Sequence, residues 1–241
     1  MIDESEFNEK ELALANGLVS QIDIFNQKLV LSYGTDPQNR LSNTSDKILK
    51  QLQRKTPESL DVDVKSLLDE LNSIKTGNFT MGSRKEICRR ISAIVAVFRE
   101  SQLVIMQDQD ALSRLKKANS KCYKEISLYI LAGQKRLAQI EEEQNRFSSA
   151  LRIKTSRDLE NERETSDAVN RFKRRLQNLE VSRNVALQTL AQITMLITTN
   201  DSMLERINTI LNITIPLMQT HFSVQDISRA KLSIINMQRA P

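Results

Sequence analysis

One helical stripe runs through the second half of the chain. From Val169 to Met218, residues taken in alternating steps of three and four are apolar except at Arg183, Asn200 and Thr214. This spacing is typical of a seam packed against other helices. At about 1.5 Å per residue, a helix of about fifty residues spans roughly 75 Å. Because such a stripe needs partner helices of similar length, we expect an elongated helical bundle.

A second stripe of the same kind lies between Arg84 and Arg152. It follows one heptad register, which Ser101, Asp108 and Asn119 interrupt. Its positions are Ile87, Ile91, Ile94, Phe98, Ile105, Leu112, Leu115, Cys122, Ile126, Tyr129, Gly133 and Ile140. The segment Thr155–Asp158 then carries no apolar anchor. We therefore predict a chain reversal there, with two long antiparallel helices forming one continuous domain over residues 84–241.

Composition agrees with an all-α coiled-coil bundle. The 241 residues include only 5 Gly and 4 Pro, and aromatic residues make up 4%. Strands are rich in aromatic residues and are separated by Gly-rich turns, so this profile favours long helices. No uncharged apolar run approaches the eighteen residues of a membrane-spanning helix. The acidic N-terminus has no apolar segment of the kind found in secretory signals.

Residues 1–76 are predicted to form shorter helices that pack on the long pair. The first is expected from Glu6 to about Ser32, where Tyr33-Gly34 followed by Asp36-Pro37 signals a stop and a turn. A second helix starts near Pro37. It is expected to break at Thr56-Pro57, before a short third helix with apolar residues from Val62 to Ile74.

Residues 77–83 are the most loop-like segment and are predicted to connect the N-terminal helices to the long pair. Gly77 and Gly82 have the spacing of a phosphate-binding loop, but Ser83-Arg84 stands where Lys-Ser/Thr is required. Nucleotide binding is therefore not expected. Instead, Ser83 is predicted to cap the first long helix, and Glu86 to complete a capping box.

The net charge of +5 arises from 35 basic and 30 acidic residues. This balance is only mildly basic and does not favour a nucleic-acid-binding protein. Basic clusters at residues 84–90 and 171–175 lie near glutamates, as on the solvated face of a helix. The alternative is attachment of these patches to an acidic membrane surface.

Neither cysteine nor histidine usage points to a reactive site. Cys88 and Cys122 are expected to be buried thiols of a reducing cytoplasm, and on a single helix they would lie about 50 Å apart. The one histidine, His221, has no Cys or His at ligand spacing, and no catalytic arrangement is evident. We therefore predict no metal, no cofactor and no enzymatic activity.

The three polar residues of the main stripe are candidate site residues. Arg183, Asn200 and Thr214 could specify the register of the helices or mark an exposed part of the seam. The functional alternative is an inward polar pocket that binds an anion, with Arg183 supplying the charge.

Short segments within this stripe form a signature. They are Leu179-Glu180-Val181-Ser182-Arg183, Ala186-Leu187-Gln188-Thr189, Ala191-Gln192-Ile193 and Thr214-Ile215-Pro216-Leu217. Residues 171–217 thus resemble the signature region of the toxic-anion-resistance family (TelA-type, tellurite-resistance-associated). The motif residues are Leu179, Glu180, Ser182, Arg183, Gln188, Thr189, Gln192 and Pro216. Two earlier segments also agree in order, Gln21-Ile22-Asp23 through Ser32-Tyr33-Gly34, and Leu128–Gly133.

The chain departs from the family pattern in two places. Met218-Gln219 stands where the family usually has Trp and then a basic residue, and the sequence stops at Pro241 where members usually continue with a long helical tail. The chain is therefore expected to be a truncated form or a shorter divergent member. Any activity that resides in the tail would be missing from it.

The resemblance implies a cytoplasmic, all-helical protein linked to tellurite and stress resistance, with no established enzymatic reaction. The leading expectation is a non-enzymatic scaffold with protein partners, some of them membrane-associated, and with self-association as a further outcome. The alternatives are a direct oxyanion-binding module and a peripheral helper at the inner face of the membrane. No nucleic-acid partner is expected.

Overall fold

The computed structural model describes residue 2 and residues 4–52, 81–150, 156–217 and 219–220. Every regular element in this part of the chain is helical, which confirms the all-α prediction. The helices are α1 (Glu9–Val19), α2 (Gln27–Ser32), α3 (Thr35–Leu52), α4 (Met81–Ala150) and α5 (Ser156–Thr209). A 3₁₀ turn at Glu4–Glu6 precedes α1, and a π-helical stretch at Ile210–Thr214 follows α5.

The chain divides into two compact units, and both long helices contribute to each. The first unit contains Met1–Gln51 and Ser113–Thr194, and the second contains Leu52–Leu112 and Met195–Pro241. The predicted domain boundaries, at residue 76 and at residue 84, lie in or next to residues 53–80. Those residues are outside the described part of the chain, so the boundaries stay a prediction. The short third helix and the break at Thr56-Pro57 also lie outside it.

In the first unit α4 and α5 run antiparallel. Asn119 of α4 contacts Ala186 of α5, whereas Gly133, further along α4, lies against Leu176, earlier on α5. Apolar residues of α1, α2 and α3 pack against both long helices in a single core. Its largest fully buried side chains are Ile24, Ile126, Ile130, Phe172 and Leu179.

The second unit has the same antiparallel order. Gln102 donates a 2.9 Å hydrogen bond to Asn208, and Gln109, further along α4, bonds to Asp201, earlier on α5. Its apolar cluster contains Phe98, Ile105 and Ile207. The π-helical stretch follows, and Pro216 explains it, because proline has no N–H to donate and crowds the carbonyl four residues earlier.

The predicted seams are confirmed by burial. Every described side chain of the Val169–Leu211 stripe is buried or half-buried, and Phe172, Leu179, Ala186 and Ile193 are fully buried. On α4 the described stripe positions are likewise buried or half-buried. Two of the interrupting residues, Ser101 and Asn119, are buried with them.

The prediction of one helix from Glu6 to Ser32 is wrong. The chain leaves the helix at Ser20 and re-enters at Gln27, because polar side chains bond the backbone between them. Asn26 accepts hydrogen bonds from the N–H groups of Lys28 and Leu29, and so caps α2. Asp23 accepts one from the Phe25 N–H. As a result the apolar residues that stand at helical spacing in this segment do not share one helix face; they are Leu14, Leu18, Ile22, Phe25 and Leu29. Leu14, Phe25 and Leu29 are exposed.

The predicted stop at Tyr33-Gly34 is confirmed. Gly34 has a φ of 68°, the left-handed region that glycine adopts without strain. A Cβ at this position would lie 2.8 Å from a methyl group of Leu179. Helix α3 then begins at Thr35, which leaves Pro37 buried within its first turn.

The predicted end of the connector is wrong by three residues. Helix α4 begins at Met81, so Ser83 lies inside the helix and cannot be its N-cap. The chain reversal is close to its predicted place, since α4 ends at Ala150 and α5 begins at Ser156. Cys88 and Cys122 both lie on α4 as free thiols, but Cys88 is exposed, contrary to the prediction that both are buried.

No helix among the described residues is long and apolar enough to cross a membrane. Within the same residues, no group of three or more His, Cys, Asp or Glu side chains is placed to hold a metal ion. His221 lies outside the described part of the chain.

Candidate functional sites in the first unit

Arg183 lies at the centre of a polar cluster between α4, α5 and the N-terminal 3₁₀ turn. Its Nε donates a 3.1 Å hydrogen bond to Ser127 Oγ, and its Nη2 donates to the Tyr123 hydroxyl at 2.8 Å. Nη2 also lies 3.4 Å from a carboxylate oxygen of Glu6. The guanidinium carbon sits 5.2 Å from the centre of the Tyr123 ring, within cation–π range. This arrangement can hold a carboxylate or another small anion.

Asn200 and Thr214 are half-buried and belong to the second unit. The residues that contact Arg183 all belong to the first. The predicted anion pocket of Arg183, Asn200 and Thr214 stays a prediction. The polar side chains that contact Arg183 in the first unit are Tyr123, Ser127 and Glu6.

The family-motif residues have different environments. Leu179 is fully buried, with its methyl groups against Gly34, and Thr189 is buried. Ser182 is half-buried and accepts a 2.6 Å hydrogen bond from the Gln38 side chain. The remaining motif residues outside the Arg183 cluster are exposed: Glu180, Gln188, Gln192 and Pro216.

Arg175 fixes the corner between α2 and α3 to the long helix α5. Its Nε donates to the Tyr33 carbonyl at 2.8 Å, and its Nη2 donates to Thr35 Oγ1 at 3.1 Å and Gln38 Oε1 at 2.7 Å. Burial lowers the pKa of this guanidinium. The sequence suggested a solvated basic cluster at residues 171–175, which is wrong for Arg175.

Tyr33 anchors the same corner from the apolar side. Its hydroxyl donates a 2.7 Å hydrogen bond to the Tyr129 carbonyl, and its ring packs edge-on against Tyr129 and Phe172. Burial raises the pKa of the Tyr33 hydroxyl. The corner between α2 and α3 is therefore anchored to both long helices, through Tyr129 of α4 and through Phe172 and Arg175 of α5.

An open groove lies between α1, α3 and α4, with a volume of about 830 Å3. We call it the α1–α3–α4 groove. Its lining residues are Lys10, Ala13, Leu14, Gly17, Leu18, Gln21, Asp36, Arg40, Glu125, Leu128 and Tyr129. Leu14 is 63% exposed, and a Cβ at Gly17 would meet nothing within 4 Å. The groove thus contains an accessible leucine, and next to it Gly17 leaves open space because it has no side chain.

Charged side chains border this groove. Arg40 of α3 forms an ion pair with Glu125 of α4, and this hydrogen bond raises the pKa of Arg40. Burial raises the pKa of the neighbouring Cys122 thiol. Outside the lining of the groove, Lys124 of α4 pairs with Glu11 of α1 at 3.1 Å. Hydrogen bonds from the Asn8 backbone and from Lys124 lower the pKa of Glu11.

A sequence model described as toxic anion resistance protein (TelA) matches residues 84–240. The chain belongs to this family. The resemblance found at residues 171–217 is thereby confirmed, and this region includes the buried Leu179 and the two arginines Arg175 and Arg183.

Staphylococcal proteins are among the relatives. A TelA-like protein of Staphylococcus epidermidis is 24% identical, and the match covers 98% of this chain and 69% of the relative. A TelA-like protein of Staphylococcus aureus is 23% identical, over 97% of this chain and 63% of the relative. This TelA-family chain therefore spans about two thirds of the length of these relatives. No solved structure matches it.

The sequence did not reveal the groove or the partners of Arg183 in this TelA-family chain. Glu6 and Tyr123 are distant in sequence from Arg183, and no local pattern links them. One feature of the sequence could have indicated the groove. Because α1 ends at Val19, Leu14 and Ile22 do not lie on the same helix face, and Leu14 is left exposed. Asp23 and Asn26 would have predicted a break before α2, because Asp and Asn favour turns and helix N-caps.

Proposed function

We propose that this chain is a non-enzymatic helical interaction protein of a toxic-anion resistance system. It binds a partner protein through the α1–α3–α4 groove. Family membership supports the link to toxic-anion resistance. The observation that carries the binding role is the accessible leucine in this groove, since protein-binding sites commonly combine an apolar centre with a polar rim.

The occupant is an amphipathic helix of the partner. Helix-in-groove recognition uses apolar side chains spaced three or four residues apart, which fit a trough between helices. Leu14, Leu18 and Leu128 supply the apolar contacts, and Gly17 allows close approach because it has no side chain. Lys10 and Asp36 offer opposite charges at the rim, which can fix the direction of the bound helix.

In this proposal the protein works in the cytoplasm, and its partner belongs to a stress-resistance assembly at the inner face of the membrane. The long helices α4 and α5 hold the groove rigid, because the corner at Tyr33 and Gly34 is fixed to both of them. No reaction is assigned to this chain. Its role is to bind that partner within the assembly.

A matched pair of substitutions tests the groove. Leu14 and Leu31 are both exposed leucines of the first unit, at 63% and 65%, but only Leu14 lines the groove. In a bacterial host whose tellurite tolerance depends on this gene, Leu14→Glu is expected to abolish tolerance and Leu31→Glu to preserve it. Equal tolerance in the two variants, with both folded by circular dichroism, would contradict the proposal.

A further inference from the structure

The Arg183 cluster contains a carboxylate that belongs to the chain itself. Glu6 of the N-terminal 3₁₀ turn lies 3.4 Å from Nη2 of Arg183. We infer that Arg183 and the Tyr123 hydroxyl form a binding site for a small oxyanion, which Glu6 occupies in this structure as an intramolecular competitor. This site is independent of the α1–α3–α4 groove and of the proposed partner helix.

The guanidinium is held in place before any ligand arrives. Ser127 is buried and accepts from Nε of Arg183, while its own proton goes to the Tyr123 carbonyl at 2.9 Å. The Tyr123 ring packs beneath the guanidinium and its hydroxyl accepts from Nη2. A guanidinium fixed in this way loses little conformational freedom when it binds an anion.

Glu6 accepts from only one of the two terminal nitrogens of the Arg183 guanidinium. Its carboxylate reaches Nη2 alone, and among the described residues Nη1 of Arg183 has no hydrogen-bond acceptor. An oxyanion could bridge Nη1 and Nη2 as a bidentate ligand, a stronger geometry than a single contact. Because the Tyr123 hydroxyl accepts from Arg183, its own proton is available to donate to the same anion.

The Glu6 side chain is held by contacts that can open, although Ile2 and Phe7 of the same segment pack in the core. Glu4 pairs with Lys135 at 3.0 Å, and the Ile2 N–H donates to Gln134 at 3.3 Å. The Glu6 and Glu4 side chains are both about half exposed, and exposed ion pairs contribute little to stability. Displacement of Glu6 therefore requires only that its side chain leave Arg183, while Ile2 and Phe7 keep the segment packed.

The test compares Glu6→Gln with Glu4→Gln by titration calorimetry with sodium tellurite. Glu4→Gln is the matched control, because it removes an acidic residue of the same turn that pairs with Lys135 instead of Arg183. All variants carry Cys88→Ser, so that the exposed thiol does not react with tellurite. Sodium phosphate shows whether other oxyanions compete, and sodium chloride at equal ionic strength controls for screening.

Glu6→Gln is expected to bind tellurite up to about fivefold more tightly than the parent, equivalent to about 1 kcal/mol, whereas Glu4→Gln is unchanged. Adding Arg183→Lys to Glu6→Gln is expected to abolish binding, because lysine keeps the charge but cannot form the bidentate contact. Equal affinities for the two Gln variants, or no binding by folded Glu6→Gln, would overturn the inference.

Discussion

The side-chain amide of Asn119 on α4 donates a 2.7 Å hydrogen bond to the backbone carbonyl of Ala186 on α5, and both residues are completely buried. The other side-chain atom of this amide, Oδ1, is buried without a partner among the described residues. A polar residue at a seam position lowers stability but selects one register, because any slip leaves its donor unpaired as well. Asn119 therefore fixes how α4 and α5 align in the first unit.

Asn119→Asp tests this contact with almost no change in shape. At neutral pH it replaces the donor by a buried carboxylate facing a carbonyl oxygen, so we expect the free energy of unfolding to fall by about 3–5 kcal/mol. Burial raises the pKa of a carboxyl group in the folded state. Stability should therefore recover as the pH falls from neutral towards about 4, the pKa in the unfolded chain, and the recovery should be complete below it. Urea unfolding at several pH values measures this.

The control for that experiment is Asn184→Asp, at an exposed position of α5. A surface substitution of this kind should change the free energy of unfolding by less than about 0.5 kcal/mol at neutral pH. If both variants lost stability equally, a general effect of added negative charge would explain the result and the buried contact would not.

The two glycines Gly133 and Gly17 should respond to alanine in opposite directions. A Cβ at Gly133 would lie 2.4 Å from a methyl group of the buried Leu176, so Gly133→Ala should lower the free energy of unfolding by about 1–3 kcal/mol. Gly17 is exposed in α1 with open space around it, so Gly17→Ala should raise stability by about 0.5–1 kcal/mol. Denaturant unfolding of both variants tests this; a neutral Gly133→Ala would contradict the tight contact between Gly133 and Leu176.

Tyr33→Phe isolates the hydroxyl that bonds to the Tyr129 carbonyl. The variant keeps the edge-on ring contacts and should lose about 1 kcal/mol at neutral pH. Because burial raises the pKa of Tyr33, the folded state holds its proton while the unfolded chain releases it above pH of about 10. Parent stability should thus fall as the pH rises through this region, and the fall should be smaller in Tyr33→Phe. Identical pH profiles would contradict the account.

The long seams could be predicted from sequence because their signal is periodic and local. Phe172 and Leu179 stand on a 3.6-residue repeat, and every described member of that stripe is buried or half-buried. The helix end at Gly34 could also be predicted, since a glycine that follows an apolar helix and precedes Asp-Pro indicates that the helix ends there. These features depend on neighbours in the sequence.

The polar clusters could not be predicted, because they join distant segments. Arg175 belongs to a run of basic residues that is typical of a solvent-exposed helix face. Its side chain nevertheless donates a hydrogen bond to the Tyr33 carbonyl, 142 positions away in the sequence. The end of α1 was missed for another reason: apolar residues at helical spacing continue to Leu29, but capping by Asn26 interrupts the helix. The groove follows from that interruption, since it sets where α1 lies against α4.

Site-specific photo-crosslinking tests the proposed function most directly. A benzoylphenylalanine at position 14, inside the α1–α3–α4 groove, is compared in tellurite-stressed cells with the same residue at position 31, which is equally exposed but outside it. We predict one crosslinked protein partner at position 14, absent at position 31 and lost when Gly17→Trp fills the groove. The same crosslinks at both positions, or at neither, would contradict a partner-binding role for the groove.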